Sequence, residues 1–265
     1  MNFYENKIEP PSKMPAKPPI KQTTKPITNN STPTTAEAFA TAMVGIDLGG
    51  TKIAIGGAQF LPEGFIDVNS LIETTTIPTS TPELSLPTDS CEVRDRFVLR
   101  MAQEILLLMK RLRAKNFAIY PSIGLGSPGN IQQGIIHAET TPQLGSAFDN
   151  FNLAEELAAR LNSLIRESAS QDKDTHPKIT VTTRNDALAQ MSFGISELIK
   201  DQHYRQLLNG KKVAYIGPGT GLGGGFAKVT IPPPPSSPHP IFDFFTDGHI
   251  GDIIMGKKAD GDPIL

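Results

Sequence analysis

The chain has 265 residues, with 25 Lys and Arg against 27 Asp and Glu, a formal net charge of -2 and one cysteine, Cys91. That length buries a sizeable core and accommodates more than one structural unit. The near-neutral charge gives no support to nucleic-acid or anionic-membrane partners, and a single cysteine excludes an intramolecular disulfide and a cysteine-cluster zinc site. No apolar run is long enough to span a membrane, and the first residues form no apolar signal core, so a cytoplasmic protein is expected.

Residues 1–42 are rich in Pro, Thr and Lys. They carry too little apolar surface to offset the entropy of ordering, which predicts a disordered arm. Strands are then expected at 43–48, 52–59 and 64–77, followed by a Thr/Pro-rich loop to about residue 90. Val93, Phe97, Met101, Ile105, Leu108 and Leu112 recur every three to four residues, predicting a helix over about 91–115. A strand at 118–124 leads into the turn Gly126-Ser127-Pro128-Gly129. Asn152 is a candidate cap for a helix that aligns Leu153, Leu157, Leu161 and Leu164. A strand at 179–182 and a helix from Asp186 to about residue 199 complete the series.

Three strands followed by alternating helices and strands predict an α/β, ribonuclease-H-like unit over 43–199. In such a unit an antiparallel hairpin feeds parallel strands through helical crossovers. A second unit is expected over 211–265, where a proline run from Pro232 makes a rigid excursion between two strands. That stretch is too short to repeat the whole pattern, so a duplicated fold with a truncated second unit is expected.

Two segments share one pattern. Val44 to Gly56 contains Asp47-Leu48-Gly49-Gly50-Thr51-Lys52, and Val213 to Ala227 contains Gly219-Thr220-Gly221-Leu222-Gly223-Gly224. Each reads as strand, Gly/Thr turn, strand. Glycines let backbone N–H groups approach a phosphate closely, so two facing hairpins could clamp a polyphosphate. In the first, Asp47 could hold Mg²⁺ directly or through water. Gly49, Gly50 and Thr51 would offer N–H groups and a hydroxyl, and Lys52 a positive charge. The plainer reading is a hairpin turn with Asp chosen for turn geometry.

The second segment also matches the G-x-G-x-x-G spacing of dinucleotide-binding folds, but a β-rich run follows where that fold requires a helix. Asn185-Asp186 stands at a strand-to-helix junction. It could be a simple cap, or Asp186 could accept a proton from a hydroxyl that attacks a phosphate. Ser127-Pro128-Gly129 could shape a substrate loop or be an ordinary turn. The five histidines have no metal-ligand spacing, and His249 alone is bracketed by glycines.

In combination, Asp47 to Lys52, Gly124-Leu125-Gly126-Ser127-Pro128-Gly129, Asn185-Asp186-Ala187 and Gly219 to Gly224 resemble the ROK family of repressors and sugar kinases, within the actin/hexokinase/Hsp70-like ATPases. The resemblance runs from about residue 43 onward. It implies a kinase that uses ATP and Mg²⁺ to phosphorylate a hexose, typically at carbon 6. Asp186 then matches the catalytic base and Asn185 a sugar ligand. Asp47, Gly49, Gly50, Thr51 and Lys52, with Gly219, Thr220 and Gly221, match the two phosphate turns. Ser127, Pro128 and Gly129 match a loop beside the sugar.

The sequence departs from that family at several positions. Gly248-His249-Ile250-Gly251-Asp252 stands where Gly-Glu-x-Gly-His is usual, which makes His249 and Asp252 the candidate sugar ligands there. Gln143 replaces an Asn after Pro142, and the cysteine-rich zinc motif is missing, so no zinc is expected. The expected partners are a sugar and a nucleotide, with no nucleic acid and no membrane. Self-association is a further expectation, because an unfinished unit exposes strand edges. The alternative is an inactive remnant or a sugar-binding protein.

Overall fold

The computed structural model describes residues 40–61, 64–79, 90–137, 146–168, 177–218, 222–233 and 239–245. Three strands open it: β1 (Ala40–Leu48), β2 (Lys52–Phe60) and β3 (Ile66–Pro78). Then come α1 (Ser90–Ala114), β4 (Phe117–Ser127) and a small hairpin of β5 (Asn130–Gln132) and β6 (Ile135–His137). They are followed by α2 (Leu153–Ser168), β7 (Thr180–Asn185), α3 (Asp186–Leu198) and α4 (Gln202–Leu208). The last described elements are β8 (Lys212–Pro218), β9 (Leu222–Thr230) and β10 (Ile241–Phe244).

β1, β2 and β3 pair antiparallel, whereas β4 and β7 join parallel through helical crossovers, giving the sheet order β3-β2-β1-β4-β7. This is the expected ribonuclease-H-like arrangement. β10-β9-β8 form a second, antiparallel sheet that repeats the order of β3-β2-β1. Among the described residues, no helix is long and apolar enough to cross a membrane.

Burial explains the layering. Val44, Ile46 and Leu48 of β1 and Ile123 and Leu125 of β4 point to one face, where α1 and α2 cover them. Met101, Ile105, Leu108 and Leu112 from α1, and Leu153, Leu157 and Leu161 from α2, are fully buried there. The helix positions follow the three-to-four spacing of the sequence. A second cluster joins Met191 and Ile195 of α3 to Ala227 and Val229 of β9, with Val213, Tyr215, Phe242 and Phe244 packed against it. α3 therefore begins at the first sheet and ends on the second.

Several boundaries differ from expectation. β1 starts at Ala40, so residues 40–42 belong to the strand and not to the arm. Ala42 is fully buried, and this stretch pairs with Phe117, Ala118 and Ile119. The rest of the expected arm, 1–39, lies outside the described residues. β7 runs three residues past its expected end, because Thr183, Arg184 and Asn185 pair with Leu125, Gly126 and Ser127 in spite of being polar. β5, β6 and α4 are additional elements, too short to leave a periodic signal.

One side chain fixes the start of β7, and through it the site. Asn162 on α2 accepts from the N–H of Ile179 at 2.9 Å and donates to the carbonyl of the same residue at 2.8 Å. Replacing Asn162 by Ala removes both bonds and leaves polar backbone without its partner. The expected loss is about 1–3 kcal/mol of unfolding free energy, measured by urea denaturation.

Candidate active site

Side chains alternate along a strand, so the face opposite α1 and α2 receives the other residues of β1, β4 and β7. Gly45 pairs with Gly124, and Gly124 with Thr182; two positions further on, Asp47 pairs with Gly126, and Gly126 with Arg184. Two parallel rows thus cross this open face, Gly45–Gly124–Thr182 and Asp47–Gly126–Arg184. A cleft of about 730 Å³ lies over them and is also lined by Asp186, Gln190 and Phe193 of α3. A Cβ built on Gly45 or Gly124 meets no atom within 4 Å, so packing does not call for glycine at either position. The bare backbone leaves the floor of the cleft low.

Asp47 is the penultimate residue of β1 and is exposed to this space. The turn that follows is closed by the N–H of Gly49, which donates to the carbonyl of Lys52 at 2.9 Å. A Cβ at Gly49 would approach that same oxygen to 2.9 Å, so the turn itself requires glycine here. The Gly49 N–H is consequently committed to the turn. Among the N–H groups expected to meet phosphate, this leaves those of Gly50 and Thr51, which are exposed along with Lys52. Thr79 secures the loop from β3: its hydroxyl donates to the Gly49 carbonyl at 2.6 Å and its N–H to the Thr51 carbonyl at 3.0 Å. Thr79 is buried, and the sequence reading passed over it as part of a Thr/Pro-rich loop.

Asn185 caps α3. Its side-chain oxygen accepts from the N–H groups of Ala187 at 2.9 Å and Leu188 at 3.3 Å. Its amide nitrogen donates to the Gly129 carbonyl at 2.9 Å, so the same buried side chain ties down the 127–129 loop. Gly129 has φ +90°, and Ser127 in the same loop is fully buried. Asp186 follows as the first helical residue; one of its carboxylate oxygens accepts from the Ala187 N–H at 2.7 Å. It shares the cleft with Asp47, whereas Asn185, Ser127, Pro128 and Gly129 are not among the lining residues.

Gln190, one helical turn after Asp186, is held by Tyr215 of β8, whose hydroxyl donates to its side-chain oxygen at 2.6 Å. Gln143, Gly219, Thr220, Gly221, His249 and Asp252 lie outside the described residues. β8 and β9 do flank 219–221. A strand and not a helix therefore follows the second glycine segment, unlike a dinucleotide-binding fold.

The charges in the cleft are mixed. Asp47 and Asp186 supply carboxylates, and Arg184 a guanidinium whose carbon lies 4.5 Å from the centre of the Phe244 ring. Partial desolvation lowers the pKa of Arg184 from its ordinary value. Among the described residues no group of three or more His, Cys, Asp or Glu could hold a metal. Mg²⁺ needs no such cage: one or two carboxylates, waters and substrate phosphates are its usual donors, and Asp47 fits that set.

Gly45, Gly124, Arg184 and Gln190 were not singled out from the sequence as cleft residues. The available signal was glycine on the polar phase of two strands that are otherwise apolar.

The two classes of glycine should separate in experiment. Gly124→Ala is expected to leave the melting temperature unchanged or raised, since glycine within a strand is about 0.5–1 kcal/mol less favourable than alanine. If the cleft takes a Mg²⁺–nucleotide, the raised floor should weaken its binding on the order of tenfold. Gly49→Ala should lower the melting temperature, because its Cβ meets backbone. Thermal melting and calorimetric titration of both variants check this.

No family model and no curated protein sequence matches the chain. In fold it is similar to an inorganic polyphosphate/ATP-glucomannokinase from Arthrobacter sp. strain KM, at 21% identity and a TM-score of 0.43 over 77% of this chain and 61% of that one. It is also similar to a glucokinase from Parabacteroides distasonis, at 16% identity and a TM-score of 0.41 over 71% of this chain and 44% of that one. A Ppx/GppA phosphatase from Aquifex aeolicus matches at 13% identity and a TM-score of 0.36, over 71% of this chain and 47% of that one. The chain thus spans 61%, 44% and 47% of the lengths of these three proteins.

Proposed function

We propose that the chain is a ROK-type sugar kinase that transfers the γ-phosphate of ATP to a hexose hydroxyl, at carbon 6, in the cytoplasm. The observation that carries this reading is the placement of Asp47 and Asp186 in one cleft over a glycine floor. They come from opposite ends of the folding unit, and each belongs to a motif that resembles the same family.

In this reading Asp186 accepts the proton of the sugar hydroxyl as its oxygen attacks the γ-phosphorus and the bond to the β–γ bridging oxygen breaks. Mg²⁺ bound at Asp47 would neutralise charge on the phosphates. Gly50, Thr51 and Lys52 hold one side of the polyphosphate, and Gly219, Thr220 and Gly221 the other. Asn185 acts chiefly by position: it fixes Ser127, Pro128 and Gly129 beside the sugar and orients the start of α3. Gln143, His249 and Asp252 complete the sugar contacts. Self-association is part of the proposal, supported by Ile216, Ile241 and Phe245, which are more than half exposed on or beside the second sheet.

The test is sugar-dependent ADP release from the purified chain with ATP, Mg²⁺ and a panel of hexoses that includes glucose. Asp186→Asn is expected to lower kcat by about 10²–10⁴-fold with little change in the KM for sugar. Full activity in that variant would remove Asp186 from the mechanism. No release from folded wild-type protein would favour the sugar-binding or inactive reading.

A further inference from the structure

Arg184 has no place in the chemistry described above, yet it faces the cleft on the same row as Asp47, with only Gly126 between them. Adjacent strands lie about 4.8 Å apart, so the two backbone positions are about 10 Å apart, and both residues line the same cleft. A Cβ on Gly126 would lie 3.7 Å from the Cα of Asp186 and 3.9 Å from the Cβ of Ala189, so the first turn of α3 packs at ordinary distance against this row and brings Asp186 beside it. The ion pairs of the described residues are Glu92–Arg96, Glu73–Arg111, Glu73–Lys115 and Glu197–Lys200, and Arg184 is in none of them. What holds it is the ring of Phe244 in the second sheet, 4.5 Å from the guanidinium carbon. A ring can steady a guanidinium while leaving N–H donors for a ligand.

We infer that Arg184 is an anion-contacting residue that binds the transferring phosphoryl group of a polyphosphate ligand in the cleft it shares with Asp47 and Asp186. A guanidinium suits this position because its fork of donors matches phosphate oxygens and keeps its charge. A metal-bearing carboxylate on one side and a guanidinium on the other would flank the group whose charge shifts during transfer. The inference rests on the phosphotransferase reading but has its own readout, since a polyphosphate can bind without any reaction.

The probe is inorganic tripolyphosphate with Mg²⁺, titrated calorimetrically into the full chain and its variants, with thermal melting as the check on folding. Arg184→Gln should weaken tripolyphosphate by about tenfold or more. Arg184→Lys should recover part of the affinity, and glucose binding should be unchanged in both. Phe244→Leu, which removes the seat but keeps the charge, should give an intermediate loss. Equal affinity in Arg184→Gln and wild type overturns the assignment. So does wild-type protein that binds no tripolyphosphate, or an Arg184→Gln variant that loses glucose instead. If tripolyphosphate binding depends on Arg184 but no sugar-dependent ADP release is found, the kinase reading fails and the Arg184 assignment stands. If ADP release is undiminished in Arg184→Gln, the kinase reading stands and the assignment fails.

Discussion

The two faces of the first sheet have opposite chemistry because side chains alternate along β1, β4 and β7, and the cleft depends on that alternation. On one face Val44, Ile46, Leu48, Ile123 and Leu125 bury themselves under α1 and α2, and this burial sets the register of the parallel pairs. A slip of one residue would send all of those side chains into solvent, so the apolar face fixes the register firmly. The open face inherits that register without stabilising it. Gly45, Asp47, Gly124, Gly126, Thr182 and Arg184 lie where they do because their neighbours in sequence are locked on the other side. The core thereby positions the chemistry, and at Gly45 and Gly124 the cleft floor is free of packing duties.

α3 links this floor to the rest of the molecule. Its first turn is held by Asn185, which also anchors the 127–129 loop, and its later turns pack on β9. Asp186 and Gln190 stand between those two attachments, one turn apart. Two side chains of the second sheet hold cleft residues, Tyr215 on Gln190 and Phe244 on Arg184. Any displacement of that sheet relative to the first would therefore be felt at the two cleft residues it steadies.

Much of this was legible in the sequence, for reasons that differ by element. α1 announced itself because Val93 to Leu112 repeat with helical spacing over many turns. β1, β2 and β4 showed as apolar runs bounded by glycine. The far end of β7 did not, because Thr183, Arg184 and Asn185 are polar and owe their strand geometry to pairing with β4. Asp47 and Asp186 stood out through the motifs around them. Arg184 did not, because no spacing along the chain tells which distant residues share a row of a sheet. The role of Thr79 in holding the glycine turn was hidden for the same reason. Asn185 shows how one residue can satisfy two readings: as a cap it is fully accounted for, and by the same bonds it shapes the loop beside the proposed sugar site.

The Tyr215–Gln190 hydrogen bond has an optical consequence. The chain contains no tryptophan and four tyrosines, so tyrosine dominates its intrinsic ultraviolet emission, with its 13 phenylalanines contributing weakly. One of these four has its phenol hydroxyl bonded to a cleft-lining side chain, on the strand that leads into the second glycine segment. A phenol exchanging that partner for water, or for a ligand, changes its emission. The protein thus carries an unlabelled fluorescent reporter at the junction of its two sheets.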